Sequence, residues 1–194
     1  SFINYLLVPL YTYYLSGVSD YGVVNVMFSY ASLFSVLFAF GLETAFFHFA
    51  QRTDKPERIL STAGNFLIIT GFIWIVLAKC FEQPIMNYIE YPEHPEYALW
   101  FTMILSVDAI SALGFAWLRN QQQPWKFAFI KLSNIFINIG ANIFFIVLCP
   151  ILYKNGYEWA YYWAQPENMV SSIFLSNLIA SLVTFPLLFS TWKH

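Results

Sequence analysis

The sequence predicts an all-α integral membrane protein, a bundle of about six transmembrane helices with the first one truncated. Three observations carry this. Of 194 residues, 59% are hydrophobic and 21% aromatic, only 10% are charged, and the mean hydropathy is +0.57. A soluble domain carries about 25% charged residues, so this chain has less than half the charge needed to coat a water-facing surface. The apolar residues also run in long stretches between short charged connections, without the alternating segments of about ten residues that mark a membrane barrel.

The segments fall in order at 1–15, 21–47, 59–81, 97–118, 127–149 and 169–190. At about 1.5 Å per residue the first would reach only about 22 Å, short of a hydrocarbon core of roughly 30 Å. With no initiator Met and no basic leader ahead of it, the chain reads as a piece that begins inside its first helix. The other five are long enough to cross. Each must be helical, because an open strand in lipid leaves its backbone groups unpaired. Trp100, Trp117, Trp125 and Trp192 stand at predicted helix ends, where amphipathic rings prefer the headgroup zone. No soluble domain or low-complexity stretch interrupts the spans, so residues 1–194 read as a single transmembrane lobe.

Orientation follows from the cations. Arg52, Lys55, Arg58, Arg119, Lys126, Lys131 and Lys193 fall on one side, and only Lys79 and Lys154 on the other. The positive-inside rule puts the first set in the cytoplasm, with the N-terminus. The connections 82–96 and 154–168 then face outward. The second holds Tyr157-Glu158-Trp159-Ala160-Tyr161-Tyr162-Trp163, denser in rings than an anchor requires. Such rings suit stacking on the C–H faces of sugars. An interfacial belt is the plainer reading.

Composition also excludes. Nine Lys+Arg against eleven Asp+Glu leave no basic excess to neutralise a phosphate backbone, so nucleic acid is not an expected partner. Hydrophobicity rules out disorder, and two Cys rule out a disulfide scaffold. Cys80 and Cys149 fall near the outer ends of their helices, so a disulfide is conceivable, but buried free thiols are the simpler expectation. His48, His94 and His194 lack the spacing of a metal site, and no glycine-rich phosphate loop is present. No cofactor is implied.

What remains is polar chemistry inside the spans, where a charge at a helix centre costs at least ~2.5 kcal/mol. In segment 21–47, Asn25, Ser29, Ser32, Val36, Ala39 and Glu43 share a narrow arc at about 100° per residue. In 127–149, Asn134, Asn138 and Asn142 recur every fourth residue, with Lys131 in the same arc. This stripe is either the wall of a substrate cavity, with Lys131 attracting an anion, or hydrogen-bonding glue between helices. Lys131 alternatively snorkels to the nearby interface. Asp108, near the middle of 97–118, shares a face with Ser111, Ala112, Phe115 and Arg119. It is a candidate ion-coupling carboxylate or the partner of a buried cation such as Lys131. Glu43 is a second coupling candidate, with pairing to Arg52 or Arg58 as its plainer alternative. Asn177, Ser181 and Thr184 share one face of 169–190, and Asn177 joins the cavity candidates.

Pro9-Leu10-Tyr11-Thr12, Leu15-Ser16 and Asp20-Tyr21-Gly22 resemble the opening of bacterial polysaccharide-transporter proteins. These are lipid-linked oligosaccharide flippases of the multidrug/oligosaccharidyl-lipid/polysaccharide exporter superfamily. Gly41-Leu42-Glu43-Thr44-Ala45-Phe46-Phe47 is similar to the end of that family's second helix, and Leu118-Arg119 with the Asn-rich segment to its middle. The sequence departs from the family pattern at Tyr13 and His48, where Arg is frequent. The resemblance implies twelve to fourteen helices in two MATE-like lobes, of which this chain is roughly the first. It also implies a lipid-linked oligosaccharide as substrate, the bacterial inner membrane as location, membrane lipids and a missing second lobe as partners, and a proton or sodium gradient as driving force. A membrane-embedded polysaccharide polymerase or acyltransferase, and a multidrug exporter of the same superfamily, are the alternatives. The enzyme would require an acid/base constellation near one membrane face, for which the short outer connections offer only His94.

Overall fold

A computed structural model describes residues 18–89, 92–165 and 168–189, and its regular structure is helical throughout. Five stretches are long and apolar enough to cross a membrane: Phe28–Ala50, Pro56–Cys80, Glu96–Asn120, Pro124–Lys154 and Met169–Leu188. These match the five predicted crossings. The sixth expected segment, 1–15, lies outside the described residues.

The boundaries differ where backbone chemistry intervenes. Segment 21–47, expected as one continuous helix, is two: α1 (Val18–Ala39) and α2 (Leu42–Ala50). Between them Phe40 and Gly41 adopt positive φ, 49° and 64°. Glycine takes that conformation freely, whereas a residue with a Cβ is strained there by about 1–2 kcal/mol. The helix restarts at once, with the Ala45 N–H donating to the Gly41 carbonyl at 3.1 Å. Next come α3 (Pro56–Cys80), the short α4 (Glu82–Tyr88) and α5 (Glu96–Asn120). Proline opens both α3 and α6 (Pro124–Ile143), where its missing N–H leaves no bond unmade.

The segment expected to end at residue 149 runs on to Lys154. It passes through a π-turn, Phe144–Leu148, into α7 (Cys149–Lys154). Pro150 explains the wide turn. In a regular helix it would leave the Ile146 carbonyl without a donor and clash with it, and a π-bulge relieves both. A 3-10 turn (Glu158–Ala160), the single turn α8 (Tyr161–Ala164) and α9 (Met169–Phe189) complete the chain.

Helix α5 is the hub. It packs on α3 along one side, on α9 along another, and on α1 and α2. Close approach to α3 needs a small residue, since a Cβ built on Gly71 would sit 3.2 Å from the Ser106 Cβ. One core cluster gathers Met86, Tyr97, Ile146, Ile173 and Phe174; the other, toward the opposite end of α5, gathers Phe46, Leu60, Leu67, Leu105, Leu113 and Trp117. Around them runs an exposed apolar belt that includes Leu33 and Val36 on α1, Ile69 and Phe72 on α3, and Phe129 and Phe136 on α6. In water such a belt would drive aggregation; in a bilayer it faces its natural solvent. Cys80 and Cys149 are free thiols; Cys149 is buried, as expected, but Cys80 is exposed.

Candidate functional site

The polar residues of the spans separate into two groups. The first lies between α6 and α9. Asn142 Nδ2 donates to the Asn138 carbonyl and to Asn138 Oδ1, both at 2.9 Å. Asn138 Nδ2 donates to Asn177 Oδ1 at 2.8 Å, and Asn177 Nδ2 to the Ile173 carbonyl at 2.9 Å. One turn away, Asn134 Nδ2 donates to Thr184 Oγ1 at 2.8 Å, and that hydroxyl donates to the Ala180 carbonyl. Asn138 and Asn142 are 4% and 0% exposed. Their amides are therefore consumed in the helix–helix contact. Of the two readings of the stripe, this geometry is the interhelical one, and Asn138 and Asn142 present no open wall.

The second group lies along one face of α5. Asp108, Ala112, Phe115 and Arg119 are spaced so that they project within about 60° of one another. Asp108 accepts a hydrogen bond from Ser181 Oγ on α9 at 2.7 Å. The residue is exposed at the protein surface, beside the contact of α5 with α9. Lys131 of α6 is exposed, lies within electrostatic reach of Asp108, and holds its Nζ 5.0 Å above the centre of the Phe115 ring. The ring is braced edge-on by Phe127 at 5.1 Å. Lys131 is thus seated on an aromatic face and makes no ion pair with Asp108 among the described residues. It does not continue the asparagine ladder.

Glu43 meets this face from α2. Its carboxylate accepts a hydrogen bond from Arg119 Nη2, and the two side chains are 40% and 47% exposed. The expected partners Arg52 and Arg58 are replaced by a cation 76 residues away. Sequence proximity could not reveal this, because the break at Gly41 redirects α2 against α5. Arg119 also lies over Phe47 at 5.4 Å. The charges along this face of α5 thus fall into two places: Asp108 with Lys131 near mid-helix, and Arg119 with Glu43 about three turns further on.

The remaining candidates stand apart. Ser32 Oγ donates to the Phe28 carbonyl at 3.1 Å and is exposed on α1, as is Ser29. The side chain of Asn25 lies outside the described residues. Ser111, expected on the Asp108 face, is buried, and its Oγ has no hydrogen-bond partner among the described residues. Among the described residues no three His, Cys, Asp or Glu side chains are grouped to hold a metal ion.

Chemically, the α5 face offers a carboxyl able to exchange a proton or cation, and near it a lysine on an aromatic ring, without an ion-pair partner among the described residues, able to receive an anion. Fold and site together define a helical membrane protein with exposed ionisable side chains along one of its spans. The chain belongs to the polysaccharide biosynthesis protein family, whose sequence model matches residues 15–157. No curated protein and no solved structure matches it. Family membership assigns a role in polysaccharide synthesis or export.

Proposed function

We propose that the chain is the first lobe of a translocator that moves a lipid-linked oligosaccharide across the bacterial inner membrane by alternating access. Six of the eight described Lys and Arg residues lie toward the side of the 51–55 and 121–123 connections, which faces the cytoplasm in this reading. The carrying observation is that Asp108, at mid-span, is exposed, and that among the described residues its hydrogen-bond donor is the neutral hydroxyl of Ser181. A carboxyl there is tolerated where water, a cation or a partner group reaches it, so this reading puts Asp108 in a wet recess. Lys131 supplies positive charge within electrostatic reach of it, suited to the phosphate groups that join such glycans to their lipid. Asp108 is the candidate for coupling to a proton or sodium gradient, and a second lobe completes the passage. Cationic drugs fit this face less well, because Lys131 would repel them.

The test uses the intact protein in cells. Asp108→Asn and Lys131→Gln should each remove most surface polysaccharide while membrane abundance stays normal. Wild-type polysaccharide in both variants contradicts the reading.

A further inference from the structure

The ring-rich connection after α7 is built in a way that an anchoring belt does not require. Three of its exposed rings, Trp159, Tyr161 and Tyr162, each pack against another ring. Trp159, 57% exposed, stacks on Phe144 at 6.5 Å with an interplanar angle of 17°. Tyr161 is braced edge-on by Tyr153 at 5.3 Å, and Tyr162 by Trp163 at 4.9 Å. Trp163 in turn packs on Phe145 at 4.8 Å. Phe144 and Phe145 open the π-turn, and π-bulges cluster at functional sites. Adjacent residues of a helix point about 100° apart, so both can meet the connection only if it wraps around the helix end. The 3-10 turn and α8 do this, with Ala160 fully buried as the pivot. No side-chain hydrogen bond from Tyr157, Trp159, Tyr161 or Tyr162 reaches another described residue, so three phenols and an indole N–H are free to bind.

We propose that Tyr157, Trp159, Tyr161 and Tyr162 form a carbohydrate-binding platform for the oligosaccharide head of the translocated lipid. The inference rests on the translocation reading for its choice of ligand and for which side of the membrane the platform faces. Sugar rings carry patches of C–H groups whose partial positive charge matches the negative face of an aromatic quadrupole, and their hydroxyls match the free phenols and Glu158. The braces fix ring orientation before the ligand arrives, which lowers the entropic cost of stacking. The platform lies at the end of the Pro124–Lys154 span opposite its lysine-bearing start, where a head group would emerge after crossing.

The experiment measures contact between the full-length protein in nanodiscs and the oligosaccharide that mild acid releases from the cells' own lipid-linked precursor. Saturation-transfer NMR should show transfer from protein to the sugar C–H protons. Trp159→Ala/Tyr161→Ala should lower it at least about fivefold, and Trp159→Phe, which keeps a ring, should retain most of it. Tyr157→Ala, whose ring braces nothing among the described residues, should lower it about twofold and serves if the double variant does not fold. No transfer in the wild type, or equal transfer in Tyr157→Ala and the double variant, overturns the platform, as does lower thermal stability with unchanged sugar contact. Sugar contact does not require translocation. If Asp108→Asn keeps its surface polysaccharide while the platform variants lose contact, the transport reading falls and the platform stands; the reverse pattern removes only the platform.

Discussion

Two polar regions cross the membrane in this protein, and they are built on opposite principles. Between α6 and α9, asparagine amides donate in series, from Asn142 to Asn138 to Asn177 to a backbone carbonyl, with Asn138 and Asn142 buried and Asn177 half-buried. Along α5, full charges stand accessible: Asp108 with one hydroxyl donor, Lys131 on a phenyl ring, and Arg119 shared with Glu43. The ladder holds neutral groups whose needs are met within the protein. The recess holds Asp108 and Lys131, neither of which has an ion-pair partner among the described residues, and in this account a visitor completes them. Polar residues in a span thus divide by what completes them, a neighbouring helix or a visitor.

That contrast predicts distinct mutational signatures. The largest effect belongs to the recess: Asp108→Asn should cut surface polysaccharide about tenfold or more without altering the thermal stability of the purified protein. A stability loss of similar weight would move Asp108 into the structural group. Next, Gly71→Leu should destabilise by about 1–3 kcal/mol, because overpacking forces apart the α3–α5 contact on which the recess is mounted. Thermal unfolding in detergent would show it, and an unchanged midpoint would mean the two helices are not held this closely. Asn138→Ala should cost about 0.6–1.7 kcal/mol, the range for hydrogen bonds between membrane helices, with transport per folded molecule unchanged. Lost transport at full stability would return Asn138 to the cavity. Smallest, Glu43→Gln should shift stability by less than about 1 kcal/mol, since its pair with Arg119 is half exposed. A double-mutant cycle with Arg119→Gln measures the coupling.

The fold was legible because its signal is cumulative. Twenty or more apolar residues in succession admit only a helix in lipid, and all five full-length crossings lie where hydropathy places them. The break at Gly41 was not, since one glycine in a long apolar run does not declare its φ. The extension past Pro150 was hidden for a related reason, because a proline ordinarily ends a helix and here a π-turn absorbs it. At the site, the four-residue spacing correctly put the asparagines on one face. It could not say whether that face meets a helix or a cavity, since periodicity carries no information about neighbours. Asp108 and Arg119 were visible as one face of α5. The arrival of Glu43 and Lys131 from α2 and α6 is a tertiary fact.

The most direct measurement is thiol accessibility in the intact membrane. With Cys80 and Cys149 replaced by Ala in the full-length protein, Asp108→Cys and Asn138→Cys are each exposed to a charged, water-borne methanethiosulfonate. Position 108 should be labelled readily and position 138 should stay unreacted. Equal labelling of the two, or protection of 108, would contradict the division between a wet charged recess and a dry amide ladder.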